Sequence, residues 1–348
     1  MKIKLYLITT ILAIGLGACK KDKKPVTPTP TGNSAPSWSK LNFQGQSSSG
    51  IWVLSVTSGG KIFAGLNSGG TGGNAPLFFS TDSGKSWHQA DSLHAAHING
   101  NVYCIKQDPV TGTLLMGCNS SQLQGLFTST DDGANWTNNP NVFAPWDFAF
   151  MNNKTYMVIG NGVSPAPPEY MLSSTDDFSG QWTNCTSSPA IISGYRLFAD
   201  NGVLFMGGVS DPALYRSSNP ESHQYARSDT GITFANAGTS YVKRMARIGN
   251  YLFTGTTEGI FRSSDGGHNW TQCNLGFTTN VNDIAVVGSD IYIALKDSAV
   301  YKSSDNGSTW QAFHKGLSLP VTFYCMTAIG NYLRVGDSKT SIYRVKTK

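Results

Sequence analysis

The octapeptide Ser303-Ser-Asp305-Asn-Gly307-Ser-Thr-Trp310 has the composition of a turn that stabilises itself. The Asp carboxylate can accept hydrogen bonds from the amides of the turn, and Gly tolerates a positive φ. The Trp ring is large enough to wedge the resulting hairpin against a neighbouring structure. Each occurrence of this pattern therefore predicts a hairpin.

The pattern S-x-D-x-G-x-x-W occurs repeatedly along the chain. Its conserved Asp and Trp pairs are Asp82 and Trp87, Asp131 and Trp136, Asp265 and Trp270, and Asp305 and Trp310, with a stretched copy carrying Asp176 and Trp182. Five copies at similar spacing indicate a repeat architecture, because chance produces a single match far more easily than a series. The ten side chains are predicted to be structural.

These turns resemble the Asp-box, or BNR repeat, of sialidase-like β-propellers, sortilin-type receptors, xyloglucanase-type glycosidases and photosystem assembly factors. The resemblance covers nearly the whole chain after its N-terminal segment. It implies a β-propeller. Because the functions of these families are so diverse, the resemblance does not indicate which function this chain has.

The N-terminus has the three parts of a bacterial export signal: Lys2 and Lys4, an apolar run, and small residues before Cys19. This pattern predicts a cleaved signal over residues 1–18 and lipidation of Cys19, because Leu16-Gly-Ala-Cys19 resembles a lipobox. An uncleaved membrane anchor is the weaker alternative, since the apolar run is short for a bilayer. Lys, Pro and Thr in residues 19–36 predict an extended tether. The expected location is the bacterial envelope, at the outer membrane, with the side left open.

The formal charge of +5 is concentrated near the N-terminus, in Lys2, Lys4 and the tether lysines, so the body is near neutral. This balance argues against nucleic-acid binding, which needs a basic surface. Five cysteines remain after Cys19. Only Cys104 and Cys118 are expected on neighbouring strands of one sheet, so one bridge or none is predicted.

Short alternating apolar runs bounded by Gly, Asn, Asp and Ser predict an all-β body over residues 37–348. One order of three strands, an Asp-box hairpin and an outer strand fits seven consecutive segments, although the last segment lacks its outer strand. Ser37-Trp-Ser-Lys-Leu-Asn42 resembles the outer strand that begins at Asn269. The sequence therefore predicts a seven-bladed β-propeller of four-stranded antiparallel blades, closed by an N-terminal strand in the last blade.

Aligning the seven inner strands places two side chains of each blade at the entrance of the central funnel. The predicted binding residues are Trp52, Tyr103, Trp146, Asp147, Tyr195, Arg196, Arg244, Asn282, Asp283 and Tyr324. Aromatic faces beside charged groups suit a glycan, a peptide or a protein partner. In the alternative interpretation the aromatic rings pack between blades and the arginines pair with Asp147 or Asp283.

The sequence offers no defined catalytic constellation. A sialidase would use three arginines, the first of them early in the propeller, and a Tyr paired with a Glu. Here no Arg precedes Arg196, and Glu169, Glu221 and Glu258 are the only glutamates. Asp147, Asp283, Glu169 and Glu258 are candidate carboxylates for another glycoside hydrolase, which needs two that face each other. The leading hypothesis is a non-catalytic binding protein. A glycoside hydrolase and a protein-complex assembly factor are the alternatives.

No cofactor or metal is expected. The Asp-box loops lack the further carboxylates of an EF-hand, and His94 and His97 have no evident third ligand. The membrane is expected to interact with the chain through the lipid on Cys19.

Overall fold

A computed structural model describes residues 36–45, 50–67, 77–90, 100–120, 125–139, 142, 145–159, 171–174, 178, 182–185, 194–208, 213–235, 240–277, 279–297 and 299–348. The signal, Cys19, the tether and the Asp176 turn lie outside these residues, as do Glu169, His94 and His97. Residues 36–348 form one unit. No helix among the described residues is long and apolar enough to span a bilayer.

The described strands form seven four-stranded antiparallel sheets, one for each copy counted in the sequence. The first strand is β1 (Ser39–Lys40). Blade 1 contains β2 (Ile51–Val56), β3 (Ile62–Leu66), β4 (Leu77–Ser80) and β5 (His88–Gln89). Blade 2 contains β6 (Gly100–Gln107), β7 (Leu114–Ser120), β8 (Gly125–Ser129) and β9 (Thr137–Asn139). Blade 3 contains β10 (Pro145–Met151), β11 (Lys154–Ile159), β12 (Met171–Ser174) and β13 (Thr183–Asn184).

The second half of the chain repeats the same order. Blade 4 contains β14 (Gly194–Asp200), β15 (Val203–Gly208), β16 (Leu214–Ser217) and β17 (Ala226–Arg227), with a 3-10 turn at Pro220–Ser222. Blade 5 contains β18 (Val242–Ile248), β19 (Tyr251–Thr256), β20 (Gly259–Ser263) and β21 (Thr271–Gln272). Blade 6 contains β22 (Val281–Val287), β23 (Asp290–Leu295), β24 (Val300–Ser303) and β25 (Gln311–Ala312). Blade 7 contains β26 (Phe323–Ile329), β27 (Tyr332–Asp337) and β28 (Ile342–Lys346).

The N-terminal strand completes blade 7. β1 pairs antiparallel with β28, so that Ser39 lies opposite Arg344. Each inner strand contacts the inner strand of the next blade, and β26 contacts β2, which closes the ring. The predicted β-propeller with a closing N-terminal strand is therefore the fold of the described residues.

The core lies between adjacent blades, and each cluster of buried apolar side chains joins two neighbouring sheets. Close approach of the sheets requires glycine in several second strands. A Cβ on Gly255 would lie 2.7 Å from Val281 Cγ1 of the next blade, well inside van der Waals contact. The small residue thus sets how tightly blades 5 and 6 can pack.

The four described S-x-D-x-G-x-x-W turns share one hydrogen-bond pattern. In blade 6, Ser303 Oγ donates to Asp305 Oδ1 at 2.8 Å and accepts the Gly307 amide at 2.8 Å, while Asp305 also accepts the Thr309 amide at 2.9 Å. The bonds from the Thr309 side chain and backbone lower the pKa of Asp305 to about 2. The Ser hydroxyl is thus as central to the turn as the Asp carboxylate, a role that the sequence analysis missed.

In four of the described blades, a side chain of the second strand faces the Gly of the next blade's turn. A Cβ on Gly133, Gly267 or Gly307 would touch the ring of Phe63, Phe205 or Phe253, respectively, within 2.7 Å. The equivalent residue in blade 7 is Arg334, which faces Gly84 of blade 1 and is only 1% exposed. An arginine thus occupies the socket that a phenylalanine fills in three other blades.

The hydrogen-bond donors and the charge of Arg334 have few partners at this buried position. Its Nη2 donates to the Ser83 carbonyl at 3.0 Å, but its Nε and Nη1 have no hydrogen-bond partner among the described residues. Burial, together with the nearby Arg344, lowers the pKa of Arg334 to about 10. Buried donors without partners lower the stability of a fold.

Arg334→Phe is expected to raise the free energy of unfolding by about 1–3 kcal/mol, because it removes buried, unsatisfied donors and supplies the ring found in the other sockets. Arg344 Nη1, 3.2 Å from the Ser83 carbonyl, still donates to that oxygen. Urea denaturation measures the change. Arg334→Ala is the control, and it should not be stabilising because it leaves a void. A loss of stability in Arg334→Phe would contradict the expectation.

Candidate functional site

A β-bulge interrupts every inner strand at the same position. In blade 1 the register shifts between Ile51 and Val53, so that Trp52 is the extra residue, and the other six inner strands repeat this shift. The extra residues are Trp52, Tyr103, Trp146, Tyr195, Lys243, Asn282 and Tyr324. A bulge redirects its side chain out of the ladder. The two sets aligned in the sequence are therefore the bulge residues and the residues that follow them.

The bulges lie at the face opposite the S-x-D-x-G-x-x-W turns. β2 begins beside the end of β3 and the beginning of β4, so the turn after β4 lies at the far edge of the sheet. Six of the seven bulge residues, all except Tyr195, line a cavity of about 660 Å³ at the near edge. We call this cavity the funnel.

Thirteen residues line the funnel. Its aromatic residues are Trp52, Tyr103, Trp146, Tyr241 and Tyr324; its uncharged polar residues are Asn101, Asn280, Asn282, Thr257 and Thr322; and its basic residues are Arg196, Lys243 and Lys296. No Asp or Glu is among these described lining residues. Six of the ten predicted binding residues therefore meet in one cavity, and nothing is described of the Tyr195 side chain.

The aromatic side chains of the funnel form two contacting pairs. The rings of Trp52 and Tyr324 lie 6.0 Å apart edge to face, and those of Tyr103 and Trp146 lie 5.5 Å apart. Both tryptophans are only partly buried and keep part of their surface open to the cavity. Rigid aromatic side chains of this kind provide contact area at a low cost in conformational entropy.

Three polar atoms around the funnel have no hydrogen-bond partner among the described residues, although solvent does not reach them: Trp52 Nε1, Asn101 Oδ1 and Asn280 Oδ1. Buried polar atoms are nearly always paired in native proteins. The three atoms belong to residues that line the funnel, but they are themselves enclosed by protein, so they are unsatisfied polar groups within its wall.

The remaining predicted binding residues lie deeper. Asp147, Arg244 and Asp283 line a second cavity of about 370 Å³, to which Tyr103 and Arg196 also contribute. Asp147 and Asp283 are 1% and 2% exposed. We call Lys106, Asp147, Arg196, Arg244 and Asp283 the charged layer.

Asp147 and Asp283 hold neighbouring blades together. Asp147 accepts the Leu197 amide of blade 4 at 3.1 Å and pairs with Lys106 Nζ of blade 2 at 2.8 Å. Asp283 accepts the Met326 amide of blade 7 at 2.8 Å and pairs with Arg244 Nε of blade 5 at 2.7 Å. The alternative interpretation in which an arginine pairs with an aspartate therefore describes Arg244 and Asp283.

These contacts are unfavourable for acid–base chemistry at Asp147. Burial alone would raise its pKa, but the charges of Lys106, Arg196 and Arg244 hold it below its ordinary value. The general acid of a glycosidase needs the opposite shift. Glu258 lies near the funnel, where it accepts hydrogen bonds from Ser240 Oγ at 2.5 Å and Thr257 Oγ1 at 2.6 Å.

The cysteines take part in packing. All five described cysteines have buried free thiols, so Cys104 and Cys118 are not bridged. Cys104 and Cys325 follow the bulges of blades 2 and 7, and their thiols lie 3.5 and 3.4 Å from carbonyls of the next blade. Burial raises the pKa of Cys104 to about 12, which suits a structural thiol. Among the described residues no cluster of His, Cys, Asp or Glu could hold a metal ion.

The sequence analysis missed several lining residues that a simple signal identifies. Asn101, Tyr241, Asn280 and Thr322 each lie two positions before a bulge residue. Alternate residues of a strand point to the same side. The same alignment of inner strands could therefore have identified these four residues. The S-x-D-x-G-x-x-W pattern does not include them.

No family model and no curated protein matches the chain. The chain does match solved structures. The chain is similar to YCF48 from Cyanidioschyzon merolae, at 12% identity and a TM-score of 0.63 over 88% of this chain and 98% of the other. A structure of YCF48 bound to D1 peptide is similar at 15% identity and a TM-score of 0.61, over 90% and 95% of the two chains.

Two larger proteins contain a similar part. The extracellular domain of BT4673 from B. thetaiotaomicron is similar at 14% identity and a TM-score of 0.69, over 88% of this chain and 39% of the other. The GH74 enzyme of Niastella koreensis is similar at 12% identity and a TM-score of 0.61, over 88% and 44%. Likeness at these identities shows the β-propeller fold and nothing further.

Proposed function

We propose that this chain is a non-catalytic binding protein whose funnel takes a peptide segment of a partner protein. The observation that carries the proposal is the funnel itself, in which five aromatic, five uncharged polar and three basic residues surround one cavity of about 660 Å³. Aromatic faces beside polar and charged groups in one cavity are typical of a binding site.

A peptide ligand fits the chemistry of the funnel. Peptide groups can exchange hydrogen bonds with the asparagine and threonine side chains that line the funnel, while side chains pack on the paired rings. The YCF48 complex, whose fold is similar, contains a peptide and so gives a precedent for this ligand class. An assembly role, in which the chain holds a segment of another protein, is consistent with such binding.

Hydrolysis receives no such support. Asp147 and Asp283 are occupied by ion pairs and by amides of the neighbouring blade. Glu258 is engaged by two hydroxyl groups, and Glu169 lies outside the described residues. The similarity to a GH74 enzyme extends to the fold alone.

The proposal includes the location of the protein. The repeated turns are proposed to be Asp-boxes, Cys19 to carry a lipid, and residues 19–36 to form the tether that holds the propeller away from the outer membrane. The funnel would then face partners within the bacterial envelope.

The double variant Trp52→Ala/Trp146→Ala is expected to weaken peptide binding at least about 30-fold, because it removes one ring from each aromatic pair. The probe is a pooled dodecapeptide library passed over the immobilised mature chain, with retained members measured by titration. Phe277→Ala removes an aromatic ring that is 43% exposed and does not line the funnel, and it is the matched control.

Circular dichroism and thermal melts establish that the double variant is folded. Equal retention of peptides by the wild type and a folded double variant would contradict the funnel as the binding site. If no peptide is retained and a glycan panel binds instead, the peptide proposal is wrong and the funnel is a glycan site.

A further inference from the structure

The funnel has two chemically different sides. Blades 7, 1, 2 and 3 are consecutive in the ring and contribute Tyr324, Trp52, Tyr103 and Trp146. Blades 4, 5 and 6 complete the ring and contribute all three basic residues, Arg196, Lys243 and Lys296, together with one aromatic residue, Tyr241. We call these the aromatic arc and the basic arc. A ligand that fills the cavity must therefore present different groups to the two sides.

The basic arc has excess positive charge on the surface that a ligand would touch. Lys243 Nζ donates to Asn282 Oδ1 at 2.6 Å and lies 5.3 Å from the centre of the Tyr241 ring, both neutral partners. Arg196 lies beside the buried Asp147, whose pKa its charge helps to lower. Glu258 and Asp297 already accept hydrogen bonds from Thr257 and Thr322, respectively. None of these three acids lines the funnel.

We infer that the basic arc of the funnel binds a carboxylate of the peptide ligand, while the aromatic arc holds the adjacent apolar side chains. This inference rests on the proposed function and names the group recognised at the same site. Charge-assisted hydrogen bonds to a carboxylate are about twice as strong as neutral ones, and a partly buried cation lacking an acidic partner gains most from them. The carboxylate is either the C-terminus of the peptide or an Asp or Glu side chain.

The protonation of Lys243 adds a second observation. Burial, followed by the charges of Lys296 and Arg196, lowers the pKa of Lys243 to about 8. A carboxylate at this position would compensate the charge that the fold disfavours. The pKa of Tyr324, on the other side of the funnel, is raised by burial, so its phenol stays neutral as Lys243 titrates.

Three dodecapeptide libraries test the inference and separate its two sources of carboxylate. The first has free C-termini and lacks Asp and Glu, the second is amidated and contains Asp and Glu, and the third is amidated and lacks both residues. We expect the mature chain to retain members of the first or second library about 10- to 100-fold more tightly than members of the third. The library that binds identifies the source.

Lys243→Met and Lys296→Met are each expected to weaken binding of the retained acidic library about tenfold, towards the level of the third library. Lys296 is exposed, so its replacement leaves the fold intact, and Lys346→Met is the matched control on an exposed lysine outside the funnel. Because Lys243 loses its charge as the pH rises through about 8, wild-type affinity should fall by up to about tenfold between pH 7 and 9, and that of Lys243→Met should not.

The outcomes distinguish the two proposals. Equal retention of all three libraries would overturn the carboxylate inference and leave peptide binding in place. Retention of none would overturn the proposed function together with the inference. Lysine variants that bind the acidic libraries like the wild type, with no change between pH 7 and 9, would place the carboxylate elsewhere and so overturn the role of the basic arc.

Discussion

Trp38→Ala is expected to lower the free energy of unfolding by about 3–5 kcal/mol, the range for removing a large aromatic side chain from a core. Trp38 is 4% exposed, its Nε1 donates to the Phe313 carbonyl at 2.8 Å, and its ring lies edge to face with Phe313 at 6.0 Å. Its amide also donates to the Lys315 carbonyl at 2.8 Å. These contacts anchor the closing strand to blade 6.

The loss should exceed the effect of the same truncation elsewhere because Trp38 holds the closing strand. β1 is only two residues long, so its pairing with β28 depends on the anchor beside it. Without the anchor, blade 7 presents an open sheet edge. Urea denaturation of residues 19–348 measures the change, and Trp310→Ala, which truncates a half-buried ring in the turn of blade 6, is the control with a smaller expected effect. A Trp38→Ala loss below about 1 kcal/mol would show that β1 is dispensable.

Asp283→Ala is expected to lower the free energy of unfolding by about 3 kcal/mol, the lower end of the range for removing one partner of a buried ion pair. The lower end applies because the Arg244 side chain is 32% exposed and can regain some hydration, whereas that of Asp283 is 3% exposed. The substitution also leaves the Met326 and Ile284 amides, both 2.8 Å from the carboxylate, without their acceptor.

The chain contains a matched control for this variant. Arg227 and Asp229 form a pair with the same 2.7 Å separation, but the Arg227 side chain is 58% exposed. Asp229→Ala should therefore cost less than about 1 kcal/mol, as surface pairs do. Similar losses in the two variants would argue against Asp283 as the brace between blades 5, 6 and 7. Circular dichroism melts and urea titrations distinguish the cases.

The fold could be predicted from the sequence because each repeat contains a recognisable turn, and that turn fixes the alignment of the strands before it. Once Trp310 and Trp270 are aligned, the preceding strands align too, and the resemblance of Trp38 to Trp270 locates the closing strand. The same alignment brought Trp52 and Tyr324 to the funnel, because every inner strand has its bulge at the same position. A feature that recurs in each repeat is visible without coordinates.

The sequence could not assign the roles of the charged residues. Whether Asp147 acts on a ligand or braces the ring depends on Lys106 and Leu197, which belong to the two flanking blades and are far from it in the chain. The exceptional place of Arg334 depends in the same way on Gly84 of blade 1. Such pairings are specific to one interface and leave no periodic signal. The predictions for Cys19, Asp176, Glu169 and the Tyr195 side chain fall outside the part of the chain that the structure describes and stay predictions.

The bulge in each inner strand has a consequence for how a ring of this kind can diversify. An extra residue in a strand takes no share in cross-strand pairing, so its side chain can change without a compensating change in the adjacent strand. In this chain the seven positions already hold Trp, Tyr, Lys and Asn. The residues that determine ligand specificity are thereby separate from those that pair the strands. Descendants of one propeller can therefore acquire new ligands by substitutions at the bulges that leave the blades intact.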